Sequence, residues 1–202
     1  MRRALGRWGG AALVLLAGAT ASARGEQPVA RPELVVLWSD PEQLVAAAVK
    51  RQLFRDAAAL FAGWGVTLRS SDGLDSDGGQ DVRVVLLGQE RRDERGARIL
   101  GGTHARPVEP LAVWVLVPNV QAMLEQTEGG ARPHLLARAL AIVAAHEILH
   151  ALAPGLGHAS HGLMRPGLTP QDLVRPSLPV NNAYLRALLG AVRQPSAGQA
   201  GL

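Results

Sequence analysis

The chain has 202 residues, a length that suits a single domain with a sizeable hydrophobic core. It contains no cysteine, which excludes a disulfide scaffold, a thiol nucleophile and a lipoprotein anchor. Three of its 21 basic residues fall within residues 1–23, and the 18 that remain stand against 17 acidic residues, so the charge gives no indication of a nucleic-acid partner.

Residues 1–23 have the pattern of a secretory signal peptide. Arg2, Arg3 and Arg7 precede an apolar run over residues 11–19, and small residues at 21–23 follow it in an A-x-A order. The run is shorter than the roughly 20 apolar residues that cross a bilayer. We therefore expect cleavage after residue 23, export to the periplasm or the extracellular space, and no stable membrane anchor in the mature protein.

The first part of the mature chain predicts a strand, a helix and two further strands. Residues 33–38 form a short apolar run rich in valine and leucine, typical of a buried strand. A Ser-Asp-Pro-Glu sequence at 39–42 predicts a helix start, and apolar spacing continues that helix to Ala62. Residues 65–69 and 81–87 predict strands, and the polar segment between them predicts a surface turn.

The middle of the chain predicts the rest of the sheet. Residues 99–104 predict a short edge strand loosened by two glycines. Residues 111–117 predict a further strand, which Pro118 and Asn119 end. We expect a polar loop from there to Pro133, which stands at the start of a long helix.

The last part of the chain is expected to be mostly helical. Residues 134–153 are rich in alanine and leucine and predict a long helix, which the following Pro-Gly pair ends. A helix start at 169–172 and a last helix over 182–192 precede a tail at 194–202 that we expect to be disordered. The element order predicts an α+β domain over residues 24–193, with one mixed, mostly parallel, twisted sheet, two main helices on one face and a short irregular C-terminal subdomain.

The long helix carries an HExxH sequence that predicts a metal site. His146 and His150 are four residues apart and therefore lie on one face of the helix, one turn apart. Two imidazoles in this arrangement can bind one zinc ion, while Glu147 can reach a water molecule on the ion. A catalytic zinc site usually has a third protein ligand as well.

The third ligand is expected after the helix. The Pro-Gly pair at 154–155 turns the chain and can bring either His158 or His161 back toward the first two histidines. Asp172 is the only later carboxylate, and no later helix offers a glutamate ligand. Metallopeptidases that take their third ligand from such a glutamate are therefore disfavoured.

The sequence around these histidines resembles that of the metzincin metallopeptidases, and most nearly the catalytic core of the matrix metalloproteinases. The matching stretches read HEILHAL at 146–152, GLGHAS at 155–160 and GLMRP at 162–166. The family motif is HExxHxxGxxH followed by a methionine-containing turn. The resemblance implies three zinc ligands, a general base, a turn glycine and a Met-turn, at His146, His150, His158, Glu147, Gly155 and Met164 respectively.

The spacing departs from that motif. Ala153 and Pro154 are two extra residues between the second and third histidines, so that the pattern is HExxHx₇H. This longer spacing, followed by G-x-M at 162–164, is similar to that of a group of small bacterial exported proteins with metzincin-like motifs. The close match covers about twenty residues.

The resemblance also implies a fold and an activity. It implies a zincin-like domain with HExxH on the second main helix and a peptide or protein substrate aligned along an edge strand at roughly 100–104. The implied activity is that of a secreted zinc endopeptidase with one catalytic Zn²⁺. Glu147 would assist the attack of zinc-bound water on the peptide carbonyl and later protonate the leaving amine.

A second function class stays open from the sequence. The domain could be a non-catalytic zinc-binding or interaction module of the cell envelope, with His161 as a fourth ligand that closes the site. His104 and His134 are interpreted as surface histidines, and Tyr184 is assigned no role in the chemistry. The sequence does not specify an oligomeric state.

Overall fold

The structure is a computed structural model that describes residues 31–71, 81–103 and 111–192. The predicted signal peptide, most of the predicted turn before residue 81, His104 and the tail at 194–202 lie outside the described residues.

The described part contains one five-stranded sheet. Its strands are β1 (Glu33–Ser39), β2 (Thr67–Ser71), β3 (Asp81–Leu87), β4 (Gly101–Thr103) and β5 (Leu111–Leu116). The order across the sheet is β2-β1-β3-β5-β4. Strands β2, β1, β3 and β5 are parallel to one another, and β4 pairs with β5 in the antiparallel direction. The predicted mixed, mostly parallel sheet is therefore confirmed, with the short β4 at one edge.

Five helices complete the described part. They are α1 (Ala47–Gly63), α2 (Val117–Leu124), α3 (Pro133–Leu152), α4 (Pro170–Val174) and α5 (Asn182–Val192). The two longest, α1 and α3, pack against each other and against the sheet, so they share one face of it. The α+β fold with two main helices on one face is confirmed.

Helix α3 runs through the core. Its residues from Leu136 to Leu149 are almost all buried, including alanines on every side. By length and composition it could cross a membrane, with a mean hydropathy of 1.6, but 72% of that stretch is buried inside the domain. A helix that is apolar all round is what a fully enclosed core position requires.

The predicted start of α1 is wrong. The helix begins at Ala47, not at residues 39–42, because Gln43 has a φ of 53° and cannot belong to a right-handed helix. Asp40 still behaves as a cap, since its carboxylate accepts the N–H groups of Leu44 and Val45 at 2.8 and 3.2 Å. The carboxylate of Asp40 therefore caps a turn, and helix α1 begins after that turn.

The loop predicted after β5 is also wrong in its first part, which is α2. Pro118 ends the strand as expected, but it stands in the first turn of a helix, where a missing N–H is tolerated. Asn119 is 1% exposed. Its side-chain amide donates to the carbonyl oxygens of Arg91 and Ile99 at 2.6 and 2.7 Å. This contact between residues far apart in the sequence explains why Asn119 is buried, although the sequence pattern predicts a loop there.

The C-terminal predictions agree with the structure. Thr169 and Asp172 form a reciprocal capping box at the start of α4, and α5 spans the predicted residues. Residues 153–169, between α3 and α4, have no regular secondary structure. This irregular stretch crosses the end of α3 and carries the predicted third metal ligand.

Candidate metal centre

Three histidines come together beside the end of α3. One ring nitrogen each of His146, His150 and His158 lies within 4.8 Å of the other two. The Nε2 atoms of His146 and His150 are 3.1 Å apart. Among the described residues this is the only group of three or more histidine or acidic side chains with such spacing.

His146 is oriented by a hydrogen bond on the far side of its ring. Its Nδ1 donates to the carbonyl oxygen of Leu163 at 2.7 Å, and the residue is 7% exposed. Because Nδ1 carries the proton, the lone pair is on Nε2, the atom that faces His150. Such a second contact fixes the tautomer and the orientation of metal-binding histidines.

The backbone before and after His158 is held by hydrogen bonds. The chain leaves α3 at Ala153 and turns, and the carbonyl oxygens of Leu156 and Gly157 accept hydrogen bonds from the Tyr184 hydroxyl at 2.9 and 2.8 Å. After His158, the N–H of Ala159 donates to the carbonyl oxygen of Met164 at 2.7 Å. Helix α5 and the turn at 162–164 thus determine where this exposed histidine lies.

The turn at 162–164 connects these contacts. Gly162 has a φ of 75°, and a Cβ atom there would clash with the carbonyl oxygen of Pro179. That same oxygen accepts the N–H of Leu163 at 2.9 Å, while the carbonyl of Leu163 accepts from His146. Met164 is buried in the core below. The turn therefore has no room for a side chain at Gly162. Through its hydrogen bonds it also holds the ring of His146 and the backbone next to His158.

Glu147 lies against the edge strand. A Cβ atom at Gly101 would be 2.8 Å from the Glu147 Cγ, 3.0 Å from its Oε1 and 2.8 Å from the carbonyl oxygen of Trp114. Only a glycine leaves the space that the Glu147 side chain occupies. The carboxyl group is thus placed between the histidines' helix and the backbone of β4.

Burial shifts the ionisation of these groups in opposite directions. It lowers the pKa of His146, and charges on His146 and His158 add to burial in lowering the pKa of His150 to about 4. Burial raises the pKa of the Glu147 carboxyl to about 8. At neutral pH the two helical imidazoles are therefore neutral and free to donate lone pairs, and the metal-free Glu147 is mostly protonated.

The group opens onto a cleft of about 790 Å³. All three histidines and Glu147 line it, with α3 as the floor. Gly101 and Thr103 of β4, the preceding residues 97–100 and residues 165–168 also line it. A ligand in this cleft would contact the histidines, Glu147 and the sheet edge at the same time.

The donor set fits zinc. Neutral imidazoles are common zinc ligands, and two nitrogens at tetrahedral corners about 2.0–2.1 Å from one ion lie roughly 3.4 Å apart, close to the separation of the two helical Nε2 atoms. The backbone carbonyl behind His146 supplies the outer contact that such sites use. Three histidines in an open cleft leave a fourth position for water or substrate.

The other predicted residues lie away from the three histidines or have other partners. His161 is exposed and contacts Ser160, and it is not a member of the histidine group. His134 is exposed at the start of α3. The carboxylate of Asp172 is engaged by Thr169 and by Arg165 at 3.2 Å.

Gly155 lies in the turn after α3, but nothing in the structure requires glycine there. Its φ is outside the left-handed region, and a Cβ atom would meet no atom within 4 Å. Its assignment as the turn glycine stays a prediction, whereas Gly162 is the glycine on which the backbone geometry depends.

The sequence predicts the roles of neither Tyr184 nor Gly101. Tyr184 shares the buried face of α5 with Leu188, and a buried tyrosine needs a partner for its hydroxyl, so its spacing is a signal for an anchor but does not reveal which loop it holds. The contact between Gly101 and Glu147 has no local signal, because a strand glycine marks a close approach without naming the neighbour.

Comparison with known proteins gives a likeness of fold. No protein-family model matches the chain, and no curated protein matches it in sequence. The chain is similar to the solved structure of an archaemetzincin from Methanopyrus kandleri, with 12% identity, a TM-score of 0.49 and coverage of 84% of this chain and 99% of that one. It is also similar to a zinc-dependent peptidase from Methanocorpusculum labreanum, with 12% identity, a TM-score of 0.54 and coverage of 77% and 99%. The likeness to the Methanocorpusculum labreanum structure shows a shared fold.

Proposed function

We propose that the protein is a zinc-dependent peptidase whose zinc ligands are His146, His150 and His158. One observation carries this proposal: three converging imidazoles and a buried glutamate line the same open cleft. A closed structural site would need a fourth protein ligand, and the described residues place none in the group. The shared fold with a structure named a zinc-dependent peptidase supports the same function.

The edge strand supports a peptide as the substrate. The N–H of Leu116 donates to the carbonyl of Leu100, so in this antiparallel ladder the next hydrogen-bonded pair is Gly102 and Trp114. The backbone groups of Gly101 and Thr103 therefore point to the side of β4 that pairs with no other strand in the described part of the chain, and both residues line the cleft. An extended peptide can add to these groups as a further strand, which is how many proteins hold peptides.

Glu147 is suited to move the proton in the reaction. Zinc bound by the three histidines would polarise the peptide carbonyl and lower the pKa of water, and its charge would also lower the pKa of a neighbouring carboxyl. In the resulting carboxylate form, Glu147 takes a proton from the attacking water and passes it to the leaving amine. Water is thereby added across the C–N bond, which yields a carboxyl group and an amine.

The finer assignment is a metzincin-like endopeptidase. The Met164 turn lies directly behind His146, since the adjacent Leu163 carbonyl holds that ring. A cleft with a free strand edge, rather than a closed pocket, suits cleavage within a longer chain. These contacts support the role that the HExxHx₇H and G-x-M resemblance implies for His158 and Met164.

Export completes the proposal. The arginines, the apolar run and the small residues of residues 1–23 support a cleaved signal peptide.

The test is cleavage of a degenerate peptide library by the purified zinc-loaded protein, read by mass spectrometry. We expect cleavage by the wild type and a loss of about 10²- to 10⁴-fold in Glu147→Gln with zinc still bound, because only the proton transfer is removed. His161→Ala is the matched control, since His161 is exposed and outside the group. It should retain both zinc and cleavage.

Two outcomes would contradict the proposal. Stoichiometric zinc with no cleavage by the wild type would favour a non-catalytic zinc-binding module of the cell envelope. Loss of zinc in His161→Ala would indicate a closed four-histidine site.

A further inference from the structure

A short hairpin before β4 places an arginine in the wall of the cleft. Arg92 and Arg98 form an antiparallel bridge, and the N–H of Asp93 donates to the carbonyl of Ala97 at 2.9 Å. The buried amide of Asn119 binds the backbone carbonyls at both ends of the hairpin. The backbone that carries Arg98 is therefore fixed, and the residue lines the cleft.

Among the described residues, the side chain of Arg98 in the cleft wall has no ion-pair partner. Asp93 accepts the N–H groups of Arg95 and Ala97, and Arg165 pairs with a carboxylate outside the cleft. Within residues 31–71, 81–103 and 111–192, Arg98 has no acidic partner, and its Nε is buried without a hydrogen bond. A guanidinium in the cleft wall without an acidic partner is unfavourable, and an anion bound in the cleft would supply acceptors for it.

The residue opposite Arg98 adds to its positive charge. Arg92 faces it directly across the bridge, and like charges in such cross-strand pairs are destabilising. Arg92 donates to the carbonyl of Gly96, Arg91 lies over the Trp114 ring at 5.4 Å, and a guanidinium has no acceptor atom to offer Arg98. Asp93, which also lines the cleft, accepts backbone N–H groups of its own hairpin. The guanidinium of Arg98 therefore has an arginine opposite it and no ion pair within the described residues.

The direction of β4 determines which part of a substrate meets Arg98. The strand runs from Gly101 to Thr103, and a peptide that adds to it in the antiparallel direction runs from Thr103 toward Gly101. The bond to be cleaved lies beside Glu147, which touches Gly101. Past that point the peptide continues toward residue 98, so Arg98 meets residues on the C-terminal side of the cleaved bond.

We propose that Arg98 binds a carboxylate of the substrate on the C-terminal side of the cleaved bond. The carboxylate comes from an aspartate or glutamate side chain or from the C-terminus of a short peptide, since a guanidinium pairs with either in the same bidentate way. This inference rests on the proposed peptidase function and adds the substrate class that the cleft selects.

The experiment compares four peptide sets that differ only in their carboxylates. A degenerate library is made with glutamate or with glutamine at its C-terminal positions, and each set is made as the free acid and as the amide. Cleavage by the zinc-loaded wild type, Arg98→Met, Arg98→Lys and Arg95→Met is measured by mass spectrometry. Binding of the same sets to Glu147→Gln, with and without Arg98→Met, is measured by affinity selection.

We expect the wild type to prefer carboxylate peptides over their amide or glutamine counterparts by about tenfold or more, as expected of hydrogen bonds to a charged group. The preference should fall toward one in Arg98→Met and be intermediate in Arg98→Lys. It should be unchanged in Arg95→Met, because Arg95 is exposed on the same hairpin and does not line the cleft. The comparison of glutamate with free-acid peptides identifies the source of the carboxylate.

Cleavage without a carboxylate preference, or a preference that persists in Arg98→Met, would overturn the proposal and leave the peptidase function intact. Carboxylate-selective binding that needs Arg98, without any cleavage, would support the proposal and contradict the peptidase function. Absence of both binding and cleavage would overturn it as well.

Discussion

The backbone carbonyl of Leu163, which lies behind the ring of His146, orients that ring. The helix determines only that His146 and His150 share a face, and a free imidazole on that face could still rotate or change tautomer. The hydrogen bond to this carbonyl prevents both the rotation and the change of tautomer. Because of this hydrogen bond, His146 and His150, which the helix places on one face, can both direct a lone pair at one point.

Glu147 is placed where the proposed reaction needs a carboxyl group and where burial of that group is unfavourable for folding. Burial against Gly101 raises the pKa of its carboxyl to about 8, above the value of 4.5 expected in the unfolded chain. Because the unfolded state releases this proton first, the stability of the metal-free protein falls as the pH rises from 4.5 to 8.

The first prediction concerns this pH dependence. In the presence of a chelator, the Glu147 carboxyl should lower the free energy of unfolding by roughly 1.5 kcal/mol between pH 6.5 and pH 8, measured as the difference in pH dependence between the wild type and Glu147→Gln. His146 and His150 act in the opposite direction at the lower end of this window, because their pKa values are lowered in the folded protein and the unfolded imidazoles lose their protons around pH 6.5. Both variants contain these histidines, so their contribution cancels in the difference.

Urea unfolding at the two pH values measures the effect. The same pH dependence in wild type and Glu147→Gln would show that the carboxyl is solvated in the folded protein.

Single residues of the site differ in how well the sequence predicts them. His146, Glu147 and His150 follow from one helical motif, and the structure adds His158 to the same group. The environment of the Glu147 carboxyl does not follow, since Gly101 comes from a strand far away in the chain. Local periodicity carries no information about such a contact.

The irregular segment between α3 and α4 depends on α5 for its shape. The Tyr184 hydroxyl donates to the backbone just before His158, and the Tyr184 ring stands edge-on to His150, with 6.1 Å between ring centroids. Helix α5 thus acts as a support for the third histidine rather than as a lid or a tail.

The second prediction tests this support. Tyr184→Phe keeps the ring but removes the hydroxyl, so the loop before His158 should loosen and the zinc affinity should fall by about tenfold or more, as for other outer contacts of metal sites. Competition with a zinc-binding dye measures the affinity. Leu188→Val, on the same buried face of α5, is the control.

Leu188→Val should lower the melting temperature without changing the zinc affinity of the folded protein. An equal loss of affinity in both variants would mean that Tyr184 acts through stability alone.

The third prediction separates the two glycines that flank the third histidine. Gly162→Ala should lower stability by at least about 2 kcal/mol and weaken zinc binding, because φ is positive there and the Cβ would meet the backbone of Pro179. Gly155→Ala should change both by little, since its surroundings are open. Thermal unfolding and dye competition give the two readings.

A large effect at Gly155 with none at Gly162 would mean that the family's turn-glycine pattern describes this protein better than its own geometry does.

The elements show where sequence rules succeed and fail. Helix α5 and the capping box of α4 follow from spacing and from Thr169 with Asp172, because these signals are local. The start of α1 and the existence of α2 do not. In each case a polar side chain, Asp40 or Asn119, bonds to a backbone group that no local pattern identifies.

The whole molecule brings three separate parts of the chain to one cleft. The sheet contributes the edge strand β4, α3 contributes two histidines and Glu147, and the segment after α3 contributes His158 and further lining residues. The element order predicts the sheet and its two main helices. It does not predict the arginine hairpin in the cleft wall, because the fixed position of Arg98 depends on Asn119 in another element.

The measurement that tests the central claim most directly is X-ray absorption spectroscopy of the zinc-loaded protein. An open catalytic site predicts three imidazole nitrogens and one further oxygen at about 2.0–2.1 Å from zinc. The spectrum should be unchanged in His161→Ala, because that histidine lies outside the group. A spectrum with four imidazoles that loses one in His161→Ala would contradict the claim and indicate a closed structural site.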